Sequence, residues 1–427
     1  MLFNSKQILP FLSLITCLIP LPAIANTVEI YDYISRSNKI TLKVKVNDEN
    51  NFPIEGLQAN NFTLATQDNQ GNTVTLNSNQ FYFESPVQTK PDTAYIAILL
   101  DMSGSMKHKD SRGYQKLAGA TTAIKEFITS AKKENLDIKI SLIPFGYAGN
   151  TACNYLYEVN QDNIGTNYPF LELNHPKLDE KLKEYQNVDV CAATDLHQPL
   201  LAASKHLRAK FQQHSQNFSN SQKISPRLVT ILLSDGFDNR TKQETGQLKE
   251  ILQQSPKINV HTLGYGESLK NLRDRAICDE YIPNDELTPQ TVIENCRLPK
   301  SQGNIAEFVI DEQKLTDIAH STGSTYQISN NAETVAKSLI QVLKTLREYR
   351  ITYEQPGAER GGTYTPTVKV NNTSLGVNNI SPIKKIILNT FVYNPLPLIP
   401  RLTIFLLTLI LGGFGIIAFK NWSQKLK

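Results

Sequence analysis

The chain has 427 residues, of which 40% are hydrophobic, and this is enough for two or three globular domains with ordinary apolar cores. Its 44 Lys and Arg residues against 40 Asp and Glu residues give a formal net charge of +4. A positive charge this weak in so long a chain argues against a nucleic-acid partner. Composition excludes little else, so function has to be inferred from local motifs.

Residues 1–25 have the pattern of a secretory signal peptide. Lys6 precedes an apolar stretch, and Ala23-Ile24-Ala25 places small side chains at a cleavage site. The mature chain is therefore expected to begin at Asn26, outside the cytoplasm. A lipoprotein box at Leu14-Ile15-Thr16-Cys17 is the alternative, which the bulky Thr16 before the cysteine disfavours.

Residues 26–91 show short alternating strands separated by polar turns, such as the period-two run from Ile40 to Val46. The same pattern returns over residues 349–393. We predict one β-sandwich-like domain split by an inserted domain, whose entry and exit near Thr93 and Tyr349 would lie close together. The alternative is two unrelated small β modules.

Residues 92–348 alternate between strand and helix patterns throughout. The run Ala94–Leu100 is continuously apolar, and Leu228–Leu233 is apolar apart from Thr230, which is typical of strands buried on both faces of a parallel sheet. This part of the chain therefore predicts an α/β domain with a doubly wound, mostly parallel sheet and helices on both faces.

Three polar motifs follow predicted strands or begin helices in this domain. The first strand ends in Asp101-Met102-Ser103-Gly104-Ser105, Thr194 begins an apolar-periodic helix, and the second strand run ends in Ser234-Asp235. Open α/β sheets hold ligands at the carboxyl ends of their strands. Carboxylates and hydroxyls are hard oxygen donors that suit Mg²⁺ or Mn²⁺. Alone, the first motif is equally compatible with an Asp/Ser turn that caps a helix.

Taken together, these positions closely resemble the von Willebrand factor type A (VWA) domain and its metal-ion-dependent adhesion site (MIDAS). The resemblance extends over residues 92–348. It implies that Ser103, Ser105 and Thr194 ligate the cation and that Asp101 and Asp235 act directly or through water. It further implies that an acidic side chain of a protein ligand completes the coordination sphere. Lys107, His108 and Lys109 could attract such a ligand, although clusters of this kind are more often merely solvated.

Four cysteines remain after removal of the signal peptide, and none has the Cys-x-x-Cys spacing of a zinc site. An even number of cysteines in an oxidising compartment favours two disulfides, for which three pairings exist. We favour the local pairs Cys153–Cys191 and Cys278–Cys296, because each would join loops at the metal edge of the sheet without crossing it.

The C-terminal part predicts a membrane anchor. Residues 394–401 form a proline-rich spacer, and residues 402–419 are uncharged and span about 27 Å as a helix, enough for the hydrocarbon core. Lys420 and the remaining residues to 427 form a basic tail, which the positive-inside rule assigns to the cytoplasm. We expect a single-pass protein with its bulk periplasmic or extracellular.

The sequence thus predicts a membrane-anchored, exported protein that binds a protein ligand through a Mg²⁺- or Mn²⁺-dependent site and has no enzymatic activity. A scaffold for assembly or regulation in the envelope is the alternative function. A metal-dependent hydrolase is a weaker one, because only His108 or His197 could serve as its general base.

Overall fold

The computed structural model describes residues 26–147, 157–216, 225–235, 245–299, 305, 308–359, 361–388 and 398–425. The predicted signal peptide over residues 1–25 and Cys153 lie outside the described residues. The strands are β1 (Thr27–Arg36), β2 (Lys39–Asn47), β3 (Phe62–Gln67), β4 (Thr73–Leu76), β5 (Tyr82–Glu84), β6 (Ala94–Asp101), β7 (Ile138–Phe145), β8 (Leu171–Glu172), β9 (Arg227–Ser234), β10 (Asn259–Tyr265), β11 (Ile277–Cys278), β12 (Cys296–Arg297), β13 (Tyr326–Ser329), β14 (Tyr349–Glu354), β15 (Thr363–Asn372), β16 (Val377–Ile380) and β17 (Ile386–Ile387). The helices are α1 (Lys116–Lys133), α2 (Ile164–Asn167), α3 (Pro176–Gln186), α4 (His197–Gln216), α5 (Thr245–Gln253), α6 (Leu269–Arg275), α7 (Pro289–Asn295), α8 (Glu312–Ser321), α9 (Ala332–Thr345) and α10 (Leu398–Lys425).

Two antiparallel sheets form one β unit from segments on both sides of the α/β part. The first sheet has the order β1-β2-β14-β5, and the second has the order β16-β15-β3-β4 with β17 also paired to β15. Strand β14 pairs with β2 from Tyr349↔Val44 to Glu354↔Lys39, and β15 pairs with β3. Side chains of both segments, such as Leu42 and Ile351, share one hydrophobic core. The two segments therefore stabilise each other.

The part of the chain between the two segments of the β unit forms a six-stranded sheet of order β13-β10-β9-β6-β7-β8. Its strands are parallel except β8, which is antiparallel to β7. All eight residues of β6 are buried, because successive side chains enter different cores. Ile96 and Ile98 pack in a core with α1, α3 and α9, whereas Ala97 and Leu99 pack in a core with α4, α5 and α8. Helices therefore cover both faces of this sheet.

Charged side chains are buried where the chain passes between the β unit and the α/β unit. Glu348 and Arg227 form an ion pair there, Lys43 contacts Asp32 and Asp92, and Arg350 contacts Asp92 and Glu348. We call these six residues the junction cluster. The chain passes between the two units twice, before β6 and after α9. The junction cluster holds both of these segments, since Arg350 also donates to the carbonyl oxygen of Lys90 at 2.9 Å.

The segment between β10 and α8 carries a small hydrophobic core of its own, which includes Leu272 and Val292. The predicted disulfide Cys278–Cys296 is present, with an S–S distance of 2.00 Å, and joins β11 to β12. Cys191 is also disulfide-bonded. Its predicted partner Cys153 lies outside the described residues, so the second pairing stays a prediction.

The C-terminal helix α10 is longer than the predicted span. It contains one apolar stretch, Leu402–Gln424, that is long and apolar enough to cross a membrane, with a mean hydropathy of 2.5. The helix begins at Leu398, so the end of the predicted spacer 394–401 is helical, which Pro400 permits because a first-turn residue needs no N–H donor. The helix also continues into the predicted tail 420–427 as far as Lys425, since no helix breaker follows Phe419.

Candidate metal site

Two of the predicted site loops lie side by side because their strands are paired. Strands β6 and β9 are parallel neighbours, and Leu100 is opposite Leu233 in the register. Asp101 ends β6, and Asp235 directly follows β9. The carboxyl ends of adjacent parallel strands meet at one edge of the sheet, so both carboxylates lie at that edge.

The third predicted loop is hydrogen-bonded to the first. The backbone N–H of Gly104 donates to the carbonyl oxygen of Ala192 at 2.9 Å, and Ala193 forms two backbone hydrogen bonds with Tyr147. Thr194 follows these residues and is 2% exposed. Asp195 then caps α4, because its Oδ1 accepts from the backbone N–H groups of His197 at 3.0 Å and Gln198 at 3.2 Å.

Hydroxyl groups connect the two carboxylates. Ser105 Oγ donates to Asp235 Oδ1 at 2.7 Å, and the Oγ atoms of Ser103 and Ser105 lie 2.9 Å apart. The backbone N–H of Ser103 donates to Asp101 Oδ1 at 2.8 Å, while Ser234 Oγ donates to Asp101 Oδ2 at 2.5 Å. Four of the five predicted ligands therefore belong to one hydrogen-bonded group of side chains.

Both carboxylates of this group are fully buried, each with 0% exposure. Burial, followed by the negative charge of Asp235, raises the pKa of the Asp101 carboxyl above its usual range, although hydrogen bonds from Ser234 and Ser103 oppose the shift. Two buried carboxylates at one edge of a sheet repel each other unless a positive charge lies nearby. The site is therefore suited to receive a cation.

One positive charge in the site comes from the chain itself. Lys116, the first residue of α1, is 3% exposed, and its Nζ lies 2.7 Å from Asp235 Oδ2. We call Asp101, Ser103, Ser105, Asp235 and Lys116 the metal-end cluster. Sequence reasoning missed Lys116, because it lies outside every motif and comes eleven positions after Ser105. The only local signal was its place near the start of a predicted helix that follows the first metal loop.

The basic residues that follow Ser105 have separate surroundings. Lys107 forms an ion pair with Asp189 at 2.7 Å, in which Asp189 is 81% exposed. The His108 ring stacks on Phe308, with 4.7 Å between ring centroids. Phe308 belongs to the disulfide-bearing segment between β10 and α8, so this segment lies against the loop that follows Ser105. Lys109 is exposed to solvent.

The donor set agrees with a hard divalent cation. Asp101, Ser103, Ser105, Thr194 and Asp235 offer two carboxylates and three hydroxyls, the oxygen ligands that Mg²⁺ and Mn²⁺ prefer. No group of three or more His, Cys, Asp and Glu side chains in the described part of the chain is placed to hold a metal ion.

Comparisons with known proteins gave likenesses to solved structures only. No protein-family model matches the chain, and no curated protein matches it significantly. The pilus adhesin SpaC from Lactobacillus rhamnosus GG is 14% identical over 84% of this chain and 47% of its own length, with a TM-score of 0.37. This chain thus spans about half of the adhesin's length.

Two further neighbours are named as VWA domains. The ArnB paralog VWA2 from Sulfolobus acidocaldarius is 11% identical over 85% of this chain and 75% of its own, with a TM-score of 0.31. The SpRpn10 VWA domain is 9% identical over 58% of this chain and 94% of its own, also with a TM-score of 0.31. These likenesses are distant, and the functional conclusions below depend on the geometry of the site.

Proposed function

We propose that this chain is an exported, membrane-anchored binding protein that holds Mg²⁺ or Mn²⁺ and captures a protein ligand through an acidic side chain. The supporting observation is the group of buried carboxylates and hydroxyls at the carboxyl edge of the parallel sheet. This arrangement also supports assigning residues 92–348 to the VWA fold with a MIDAS.

In this proposal the hydroxyl groups of Ser103, Ser105 and Thr194 are neutral ligands, and Asp101 and Asp235 act directly or through water. Ser234 and the N–H of Ser103 hold the Asp101 carboxylate in a fixed orientation. A divalent cation bound here would supply an electrophilic centre for one incoming oxygen atom. A carboxylate is the preferred incoming ligand, since hard dications favour anionic oxygen.

We propose a binding role and no catalysis. The imidazole groups that a hydrolytic reaction would use have other surroundings, because His108 stacks on Phe308 and His197 is only 6% exposed.

Helix α10 supports the proposed anchor. Its apolar side chains, among them Leu406, Phe414 and Ile416, are more than half exposed, as expected for a helix that contacts lipid. With the predicted signal peptide at residues 1–25, this gives an exported bulk and a cytoplasmic C-terminus. Protease added to intact cells should therefore remove the bulk of the protein and leave a fragment that contains residues 402–427.

Calorimetric titration of the full chain in detergent with Mg²⁺ tests the metal site. We expect saturable binding by the wild type and none by Asp101→Ala. Asp285→Ala, which changes an exposed aspartate, is the matched control and should bind as the wild type does. Equal Mg²⁺ affinity in wild type and Asp101→Ala would contradict the proposal. A ligand that binds equally well in EDTA would show that recognition uses another surface.

A further inference from the structure

Lys116 introduces a cation into the site before any metal binds. Its side chain is 4% exposed, and its ammonium group donates to Asp235 Oδ2 at 2.7 Å. The side chain of an ordinary surface lysine extends into water, since ammonium groups are strongly hydrated. This one is instead directed into the hydrogen-bonded group that holds the predicted metal ligands.

The local structure fixes Lys116 in this position. Its backbone N–H donates to the carbonyl oxygen of His108 at 2.9 Å, which joins the start of α1 to the loop that follows Ser105. A Cβ atom on Gly266 would lie 3.6 Å from Lys116 Nζ and 2.7 Å from Ile310 Cδ1. A side chain at position 266 would therefore press on Ile310, whereas its distance from the ammonium group is that of an ordinary contact.

The formal charges of the cluster then give a simple balance. Asp101 and Asp235 contribute two negative charges and Lys116 contributes one positive charge. A divalent cation would leave the cluster with one positive charge, and a single carboxylate from a ligand would make it neutral. Without Lys116, the cation alone would already neutralise the two aspartates.

Other buried carboxylates near the site are stabilised by groups of their own. Asp195 accepts two backbone N–H groups at the start of α4. Asp110 accepts from backbone N–H groups, including those of Arg112 and Ala332, and from the Tyr265 hydroxyl. Among the described residues, Asp101 and Asp235 belong to the hydrogen-bonded group that Lys116 enters, so the charge balance of the cluster is counted over these three side chains.

We propose that Lys116 is an internal counter-cation that makes the metal-loaded site select an anionic ligand, an inference that rests on the proposed function. A unit charge left uncompensated in a buried site is costly, so the loaded site favours a carboxylate over a neutral oxygen ligand. The same positive charge repels the incoming metal ion, so the free site binds Mg²⁺ or Mn²⁺ less tightly than two aspartates alone would. Lys116 thereby weakens binding of the metal ion alone and strengthens binding of a carboxylate ligand to the metal-loaded site.

Mn²⁺ binding to the full chain in detergent, followed by water-proton relaxation, tests this inference with acetate as the probe and acetamide as its neutral isostere. In the wild type, acetate should tighten Mn²⁺ binding and acetamide should not. In Lys116→Met, Mn²⁺ alone should bind on the order of tenfold more tightly, and the preference for acetate should fall by a similar factor. Lys116→Arg keeps the charge and should keep the preference.

Lys116→Gln is the second neutral variant, because its amide can still donate to Asp235 if the methionine variant does not fold. Circular dichroism in EDTA establishes whether each variant is folded.

The wild type alone provides a further test, since equal effects of acetate and acetamide would overturn the inference. If Mn²⁺ binding is absent, or is unchanged by Asp101→Ala, the proposed function itself fails. If Asp101→Ala abolishes binding but Lys116→Met binds Mn²⁺ no more tightly than the wild type, only the role of Lys116 is wrong.

Discussion

The six-stranded sheet has buried charges at both of its ends, and the two groups differ in their balance. The junction cluster contains three cationic side chains (Lys43, Arg227 and Arg350) and three anionic ones (Asp32, Asp92 and Glu348). The metal-end cluster contains two carboxylates and a single lysine. Its formal charge is therefore negative while that of the junction is zero.

This difference separates a structural role from a binding role. In the junction cluster every charge faces an opposite one within the protein. Glu348, for example, contacts both Arg227 and Arg350 and is 1% exposed. At the metal end, the part of the chain that the structure describes places one lysine against two buried carboxylates, and we propose that an external cation supplies the missing charge. Removing one partner of a buried ion pair is costly, so we expect the balanced cluster to matter for stability and the unbalanced one for binding.

The largest expected loss of stability comes from removing one cation of the junction cluster. Arg227→Met should lower the free energy of unfolding by about 3–5 kcal/mol, because it leaves Glu348 buried without one of its two cations. Urea unfolding followed by circular dichroism measures the change. The double variant Arg227→Met with Glu348→Gln should recover part of the loss. A loss below about 1 kcal/mol would show that this pair does not hold the junction.

Mg²⁺ should stabilise the protein through the other end of the sheet. At a concentration of one hundred times its dissociation constant, the ion should raise the free energy of unfolding by about 2.7 kcal/mol. The same urea experiment should give this gain for the wild type and also for Arg227→Met, whose metal end is intact. Asp101→Ala should show no gain. If Arg227→Met lost the stabilisation by Mg²⁺ as completely as Asp101→Ala, the two ends of the sheet would be energetically coupled.

A buried histidine near the junction should make stability depend on pH. His261 is 2% exposed, and burial, followed by the charge of Lys45, lowers its pKa to about 3. An unfolded chain protonates histidine near pH 6.5, so between these values the unfolded state binds more protons. Stability should therefore fall as the pH decreases below 6.5, by up to about 1.4 kcal/mol per pH unit from this group.

Unfolding free energies measured between pH 7 and pH 4 for the wild type and His261→Gln isolate this contribution. The ring of His261 contacts the hydroxyls of Thr325 at 2.8 Å and Thr345 at 3.3 Å, and a glutamine amide can replace such hydrogen bonds. The variant should show the shallower dependence on pH. Equal slopes would assign the acid sensitivity to other groups.

The smallest effect is expected from Asp101→Asn in EDTA. The substitution removes the unmatched negative charge but keeps an oxygen acceptor for Ser234, so stability should change by less than about 1 kcal/mol. Asp235→Asn is the matched variant and should destabilise more, because it leaves Lys116 buried without its carboxylate. If both variants lose stability equally, the metal end is balanced by contacts other than Lys116.

Much of the architecture was predictable because it follows from local patterns. Predominantly apolar runs predicted β6 and β9, which are buried along all eight residues of each strand. The polar residues after these strands could then be expected at one edge, and the structure brings Asp101, Ser103, Ser105 and Asp235 together there. The spacing of apolar side chains and the direction of parallel strands are enough for such inferences.

The sequence did not predict contacts that depend on how separate segments desolvate one another. Lys43 occupies a polar position of the period-two run in β2, yet this residue is 0% exposed and contacts Asp92, which precedes β6. The antiparallel edge strand β8 has only two residues and was likewise unpredicted. Lys116 reaches Asp235 across 119 positions. Periodicity determines which face of an element is apolar, whereas the pairing of buried charges depends on which elements meet, and only the tertiary structure decides that.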